Sequence, residues 1–148
     1  MIKRILILMT AAVLLCGCGG KANEEQNEVE EKTILLEVWG PQEKQAFLND
    51  KITQFQNQNA DQQFEIRLTV EALETVRDTV LTDPAAAADV FLIQRADADT
   101  LADAKVLSAL PEGYYVSLQG AEGDLVAAVN AHSENAEQAL KLVQIIAE

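Results

Sequence analysis

Apolar and polar residues alternate along residues 33–148 with two different periods, which predicts a series of strands and helices. Thr33–Trp39 is a nearly continuous apolar run, typical of a strand covered on both faces of a parallel sheet. Phe64–Val70 alternates apolar and polar side chains, which predicts a strand with one solvent-facing side near a sheet edge. Two further apolar runs, Asp89–Ile93 and Leu125–Val129, predict a third and a fourth strand.

Between the first strands, apolar residues recur at the spacing of amphipathic helices. A first helix is predicted from Pro41 to about Asn59, because Pro41 suits a first helical turn and an apolar stripe follows it. Glu71–Leu81 carries a second apolar stripe, and a short third helix is predicted over Asp97–Lys105. These helices separate the strands along the chain.

Two further helix starts are predicted from capping signals. Asp83 and Pro84 resemble an N-cap and first turn leading into Ala85–Ala88. Asn135 is expected to cap a last helix, whose apolar stripe comprises Ala136, Ala139, Leu140, Val143 and Ile146.

The order of these elements predicts an α/β fold with a doubly wound, mainly parallel sheet. Strand and helix alternate three times, which is the pattern of right-handed crossovers that place helices on both faces of a sheet. This alternation then stops at Glu112–Gly123, a polar stretch with Tyr114, Tyr115 and two glycines. The last strand and helix follow it and are expected to join the same sheet.

The first 32 residues predict export and anchoring to a membrane. Lys3 and Arg4 precede a mostly apolar run of eleven residues, Ile5–Leu15, which is too short to span a bilayer and typical of a signal peptide. The following Leu-Cys-Gly-Cys resembles the lipobox of bacterial lipoprotein precursors, in which the last cysteine is diacylated and becomes the new N-terminus. This resemblance implies a signal peptide over 1–17, lipidation of Cys18 and a tethered position on the extracytoplasmic face of the cell membrane. An ordinary cleaved signal with incidental cysteines is the alternative.

Composition narrows the remaining classes of function. Residues 18–32 are rich in acids and poor in apolar side chains, which predicts a flexible tether before the lobe at 33–148, with a solvated helix rich in Glu as the alternative. The net charge of −13 argues against nucleic acid as a partner. Cys16 and Cys18 are the only cysteines and His132 the only histidine, and no nucleophile, phosphate-loop or metal-binding motif is present. We therefore predict a protein that is not an enzyme and needs no cofactor or metal.

Four phrases of the sequence resemble extracellular solute-binding lipoproteins of the maltose-binding type, the receptors of carbohydrate ABC importers. The first, Leu36–Gly40, leads into an acidic amphipathic helix, and the second, Thr79–Val90, leads into a strand. The third, Ala104–Leu110, is similar to the family phrase Gly-x-Leu-x-x-Leu. The fourth, Val129–Leu142, is close to a late phrase of the family. The resemblance implies a sugar or oligosaccharide ligand and ABC permease subunits as partners.

The chain departs from this family in its length. These receptors have two α/β lobes, and the early phrases here end at Leu110 while the late phrase begins near Gly120. The residues between them are too few for a second lobe. The resemblance therefore implies a single lobe, with the second missing between about 110 and 120 and with Tyr114 and Tyr115 at the point of its attachment. A natural deletion, a designed excision and a small paralogue remain open as origins.

Candidate ligand-binding residues follow from the rule that open α/β sheets bind ligands beyond the carboxyl ends of their strands. The rule selects three loops: Trp39–Glu43, Gln94–Asp99 and Gly120–Asp124. Their aromatic, amide and charged side chains could stack on or hydrogen-bond a sugar, and the candidates are Trp39, Gln42, Glu43, Gln94, Arg95 and Asp97. The alternatives are that Trp39 packs beneath the first helix and that the polar residues form a solvated rim.

The predicted function is therefore that of a tethered solute-binding lipoprotein related to carbohydrate importers. Because a lone lobe presents only one face to a ligand, we expect weak or degenerate binding. Two alternatives remain from the sequence. One is a lipid-anchored module that binds another protein through the face once covered by the second lobe, and the other is a fragment without function.

Overall fold

The computed structural model describes residues 32–119 and 124–148. The predicted signal peptide, Cys18 and nearly all of the predicted tether lie outside the described residues. In the described part, no helix is both long enough and apolar enough to cross a membrane.

The described chain forms five strands and four α-helices. The strands are β1 (Ile34–Gly40), β2 (Phe64–Val70), β3 (Val90–Gln94), β4 (Tyr115–Ser117) and β5 (Leu125–Val129). The helices are α1 (Gln45–Gln58), α2 (Leu73–Thr82), α3 (Arg95–Asp103) and α4 (Ala136–Ala147), and a single 3-10 turn, Gln42–Lys44, precedes α1. The bounds of β2 and β5 agree with the sequence prediction.

The five strands form one sheet in the order β2-β1-β3-β5-β4. Strands β2, β1 and β3 are parallel, whereas β5 is antiparallel to β3 and β4 is antiparallel to β5. The predicted α/β fold with a mainly parallel sheet is therefore confirmed, and the late strand enters the sheet as expected. Its antiparallel direction follows from the chain returning through β4 rather than through a helical crossover.

Helices cover both faces of the sheet, which gives the molecule two hydrophobic clusters. On one face α1 and α4 pack over a cluster that includes Leu36, Phe55 and Ile146. On the other face α2 and α3 pack over a cluster that includes Phe91 and Leu101. Strand β3 is buried on both sides up to its last residue, which explains its unbroken apolar sequence.

The structure differs from the sequence prediction in three local features. The polar stretch after Leu110, for which no strand was predicted, contains β4, whose Tyr115 and Val116 pack on opposite faces of the sheet. Residues 84–87 form a turn and a bend rather than a helix, although the carboxylate of Asp83 accepts the N–H of Ala86 at 3.3 Å, as expected of a cap. There the backbone carbonyls of Ala87 and Ala88 accept hydrogen bonds from the side chain of Asn130, and this tertiary contact replaces helical bonding.

The predicted capping role of Asn135 was also wrong, although Asn135 does precede α4. Its side chain makes no capping hydrogen bond. Instead its amide Nδ2 donates to the backbone carbonyl of Leu35 at 2.9 Å, so Asn135 ties the start of α4 to β1.

Candidate functional site

The first two predicted loops, and Asp124 of the third, lie at one edge of the sheet. The parallel strands β1 and β3 end there, at Gly40 and Gln94. Strand β5 begins there because it runs in the opposite direction, so Leu125 pairs with Gln94 and Asp124 lies beside α3. The backbone N–H of Arg95 donates to the carbonyl of Asp124 at 2.8 Å. Residues 120–123 of the third predicted loop lie outside the described residues.

Trp39 belongs to the core and leaves little ring surface for a ligand. Only 7% of the residue is exposed, and its ring packs in the cluster beneath α2 and α3. The indole Nε1–H donates to the carboxylate of Glu37 at 2.9 Å, and the hydroxyl of Thr69 donates to the same carboxylate oxygen. These contacts satisfy the polar atom of the indole and fix the ring in the sheet.

Gln42 and Glu43 lie on the 3-10 turn after β1 and are both exposed. The side-chain amide of Gln42 donates to Gln45 at 3.0 Å. Both residues line a depression of about 260 Å³ whose other wall is the segment between β2 and α2. This depression does not include Gln94, Arg95 or Asp97, so the structure divides the predicted site into two parts.

Gln94 and Asp97 lie at the start of α3 but in different environments. Gln94 is exposed at the end of β3. Asp97 is held by Arg77 of α2, whose guanidinium donates to its carboxylate at 2.9 Å. Hydrogen bonding to Asp78 and the nearby carboxylates of Asp78 and Asp97 raise the pKa of the Arg77 guanidinium. Asp97 therefore joins two helices.

Arg95 joins the rim to the edge strand β4. Its guanidinium donates to the hydroxyl of Ser117 at 2.7 Å, and its Nε lies 3.9 Å from the carboxylate of Asp124. The guanidinium carbon also lies 5.6 Å from the ring centre of Tyr115, within reach of a cation–π interaction. The Arg95 side chain remains 42% exposed, so it is ordered by these contacts and still accessible.

Tyr115 extends this cluster to the next turn of α3. Its hydroxyl donates to the carboxylate of Asp99 at 2.6 Å. That hydrogen bond, together with partial burial and the negative charge of Asp99, raises the pKa of the Tyr115 phenol. The neighbouring Tyr114 is 46% exposed. The two adjacent rings therefore lie in different environments: Tyr115 is bound to α3, and Tyr114 is open to solvent.

These side chains line an open groove of about 1100 Å³ beside β4. The groove runs from the carboxyl edge of the sheet along α3 and has α4 at one end. Its aromatic, charged, hydroxyl and amide side chains are Tyr114, Tyr115, Arg95, Lys105, Asp99, Asp103, Glu112, Ser117 and Gln119. The exposed part of the Tyr114 ring and a dense set of donors and acceptors are therefore available to a polyhydroxyl ligand.

Of the six predicted ligand-binding residues, only Arg95 lines this groove. The sequence reasoning placed Tyr114 and Tyr115 at the attachment of a second lobe and did not include them in the site. The sequence did contain a signal for a short strand here, because the apolar side chains of Val116 and Leu118 alternate with Tyr115 and Ser117. No group of three histidine, cysteine or acidic residues in the described ranges is arranged to hold a metal ion.

No protein-family model matches this chain, and no curated protein matches it significantly. Two solved structures are similar to it. One, described as "with acarbose", is 28% identical with a TM-score of 0.47, and the match covers 54% of this chain. The other is the maltodextrin binding protein MalE1 from L. casei BL23 without ligand, 19% identical with a TM-score of 0.43 over 55% of this chain. Each match spans 22% of the neighbour's own length.

Proposed function

We propose that this chain is a membrane-tethered, extracytoplasmic solute-binding lobe that binds carbohydrate weakly in the groove beside β4. The ordered phrases that resemble carbohydrate receptors support the class of ligand. The doubly wound sheet supports the assignment as a solute-binding lobe, since open α/β sheets bind ligands at their carboxyl edge. ABC permease subunits are the partners that this class of receptor implies.

The single observation that carries the proposal is that one groove beside β4 is lined by Arg95 and Gln119 at the carboxyl edge and by Tyr114 at the start of β4. Sugar hydroxyls both donate and accept hydrogen bonds, and guanidinium, carboxylate and amide groups complement them in both senses. The exposed ring of Tyr114 offers an apolar face on which the C–H groups of a sugar ring can stack. Arg95 is already held by Ser117, so little side-chain entropy is lost when a ligand binds.

The open shape of the groove sets the expected affinity. Sites that bind small molecules tightly bury about 70–90% of the ligand surface. A groove on one face leaves much of a sugar in water, and each loss of about 1.4 kcal/mol weakens binding tenfold. We therefore expect a dissociation constant in the millimolar range, too weak for efficient capture by this lobe alone.

Titration of a soluble form, residues 19–148, with maltotriose tests the proposal. Both hydrophobic clusters and every described element lie between Ile34 and Ala147, so this form contains the whole described fold. We expect backbone amide shifts in 1H–15N spectra at Arg95, Ser117 and Gln119. Tyr114→Ala should abolish saturation, whereas Arg67→Ala, on the opposite edge strand, should leave it unchanged.

Two results would contradict the proposal. One is the absence of any shift at 50 mM maltotriose, a concentration chosen to exceed the expected dissociation constant about tenfold. The other is saturable binding that is unaffected by Tyr114→Ala but lost in Gln42→Ala, because it would move the site to the depression beside Gln42 and Glu43.

Lipid anchoring is a separate part of the proposal, supported by the resemblance of residues 15–18 to the lipobox. Only Cys18 has Gly17 and Leu15 at the preceding first and third positions. We expect Cys18→Ser to move the protein from the membrane fraction to a soluble or uncleaved form, while Cys16→Ser remains lipid-labelled. Lipid labelling that survives Cys18→Ser and disappears in Cys16→Ser would contradict the assignment.

A further inference from the structure

Strand β2 is an edge strand whose outer side has no neighbour among the described strands. It is seven residues long and parallel to β1 over its whole length. The N–H of Ile34 bonds to the carbonyl of Gln63, and the N–H of Glu71 bonds to the carbonyl of Gly40. In a parallel ladder with this register, the N–H and C=O groups of the odd-numbered residues of β2 point toward β1. Those of the even-numbered residues Phe64, Ile66 and Leu68 point outward, away from the sheet.

The side chains of β2 are self-complementary about Ile66. Glu65 and Arg67 flank it on one face of the sheet, and Phe64 and Leu68 flank it on the face that carries α1. Glu65 and Arg67 now pair with each other at 2.8 Å, and both side chains are more than half exposed. They are therefore free to exchange this local partner for one on another strand.

We propose that β2 is the interface through which two copies of this chain pair as antiparallel strands, with a two-fold axis at Ile66. Ile66 then lies opposite its own copy, and Phe64 lies opposite Leu68 of the other copy. These are the residues whose backbone groups point outward, so the pairing adds about six hydrogen bonds and joins both sheets into one. A mixed arrangement, parallel inside and antiparallel at the new seam, is common in large sheets.

Charge disfavours the registers centred on Glu65, Arg67 and Leu68, and a register centred on Phe64 would pair β2 with residues 61–63, which precede the strand. With the axis at Ile66, Glu65 faces Arg67 of the other copy twice, at the non-hydrogen-bonded positions where cross-strand side chains are closest. Moving the axis to Glu65 or to Arg67 places like charges opposite each other. Moving it to Leu68 places Glu65 opposite Glu71. The self-complementary register is the reason to assign a second copy, rather than an unrelated extended peptide, as the occupant.

The pairing is independent of carbohydrate binding, because β2 and β4 lie at opposite edges of the sheet. A single strand pair is a small interface, and the net charge of −13 opposes association, so the dimer should be weak. Sedimentation equilibrium of residues 19–148 from about 10 µM to 1 mM, in about 0.15 M salt, should show a reversible monomer–dimer equilibrium.

Charge reversal gives a sharp test. Arg67→Glu or Glu65→Arg alone places like charges opposite each other and should weaken dimerisation at least tenfold. The double swap Glu65→Arg/Arg67→Glu restores opposite charges and should restore the dimer. Lys141→Glu on α4 makes the same change in charge as Arg67→Glu, away from β2, and should dimerise like the unmodified chain. Circular dichroism checks that each variant is folded.

Mixing the two single variants is the most specific experiment. An Arg67→Glu copy and a Glu65→Arg copy are mutually complementary, so the mixture should form a heterodimer although each variant alone stays monomeric. Slower exchange of the Ile66 and Leu68 amides at high concentration should accompany dimerisation of the unmodified chain. A monomer at 1 mM would overturn the proposal, as would dimerisation insensitive to both single substitutions. Binding of an unrelated peptide at β2 by a strictly monomeric chain would overturn it as well.

Discussion

The side-chain amide of Asn130 donates a hydrogen bond to the backbone carbonyl of Pro84 at 2.7 Å, across 46 positions of sequence. The same Nδ2 lies within 3.3 Å of two further carbonyls of that loop, and the Asn130 Oδ1 accepts the N–H of His132 at 2.9 Å. In the described part of the chain, Asn130 is the one polar residue classed with the buried core, at 1% exposure. One side chain therefore holds the loop before β3 against the end of β5.

Asn130→Ala should lower the free energy of unfolding by about 2–3 kcal/mol. The substitution removes the donor for several carbonyls in a buried site, and unsatisfied buried polar groups are costly. Urea denaturation measures the loss. Asn135→Ala removes a comparable side-chain bond in a more exposed place and should cost less than about 1 kcal/mol. Equal losses of unfolding free energy in the two variants would contradict the view that burial makes the hydrogen bonds of Asn130 more stabilising than that of Asn135.

Lys105→Gly should stabilise the protein by about 0.5–1 kcal/mol. Lys105 follows α3 with φ of 61°, in the left-handed region that side chains with a Cβ disfavour. The N–H of Val106 reaches back to the carbonyl of Leu101, a bond that closes a helix end and requires this conformation. Lys105→Ala keeps the Cβ and is the matched control. A gain in thermal denaturation midpoint for Ala as large as that for Gly would contradict the explanation.

Gly40→Ala should destabilise the protein by about 1–3 kcal/mol because of overpacking. A methyl group on Gly40 would overlap Cδ1 of Leu48, a fully buried side chain of α1. Leu48→Ala alone leaves a cavity and should cost about 2–5 kcal/mol. Adding Gly40→Ala to that variant should cost much less, since the new methyl enters the vacated space. The same cost in both backgrounds, measured by chemical denaturation, would exclude a steric cause.

The phenol of Tyr115 should ionise above the ordinary tyrosine pKa of about 10. The hydrogen bond to Asp99 is the main cause, so Asp99→Ala should lower this pKa toward its ordinary value. Tyr114→Phe leaves Tyr115 as the only tyrosine and makes its ultraviolet titration unambiguous. Asp103→Ala removes another carboxylate from the groove as a control. A Tyr115 pKa that is unchanged by Asp99→Ala would contradict this cause.

The same shift makes a contribution to stability that depends on pH. Because the pKa in the folded state lies above that in the unfolded state, the contribution is fully present below about pH 10. It is lost as pH rises through the pKa of the folded state, where the unfolded chain has already released its proton. Denaturation midpoints of Tyr115→Phe and the unmodified chain should therefore converge as the pH rises through that range. A difference that is constant with pH would contradict the linkage.

Much of the framework could be predicted from the sequence, because burial leaves a local periodic signature. Continuous apolar residues in Val90–Ile93 reflect a strand buried on both faces, and alternation in Phe64–Val70 reflects an edge strand with one wet side. The stripe of Leu48, Ile52 and Phe55 likewise marks the face of α1 that meets the sheet. These signals depend only on which side of an element meets the core.

The candidate site depended on long-range choices that no local pattern records. The sequence places Trp39 near the end of β1 but does not say which way its ring points. Packing beneath α2 and α3, with Glu37 beside it, turned the ring into the core. Arg95 was predicted at the rim, whereas its contacts with Ser117 and Tyr115 exist because β4 pairs with β5.

The sequence by itself determined the strands, the amphipathic helices and the edge of the sheet where a site was expected. Tertiary structure alone decided the antiparallel direction of β5, the presence of β4 and the groove between β4 and α3. The physical reason is that periodicity encodes the burial of a residue, which is local to its element. Strand pairing and side-chain hydrogen bonds depend on partners distant in sequence, as Asn130 and Pro84 show, and these partners are brought together only when the chain folds.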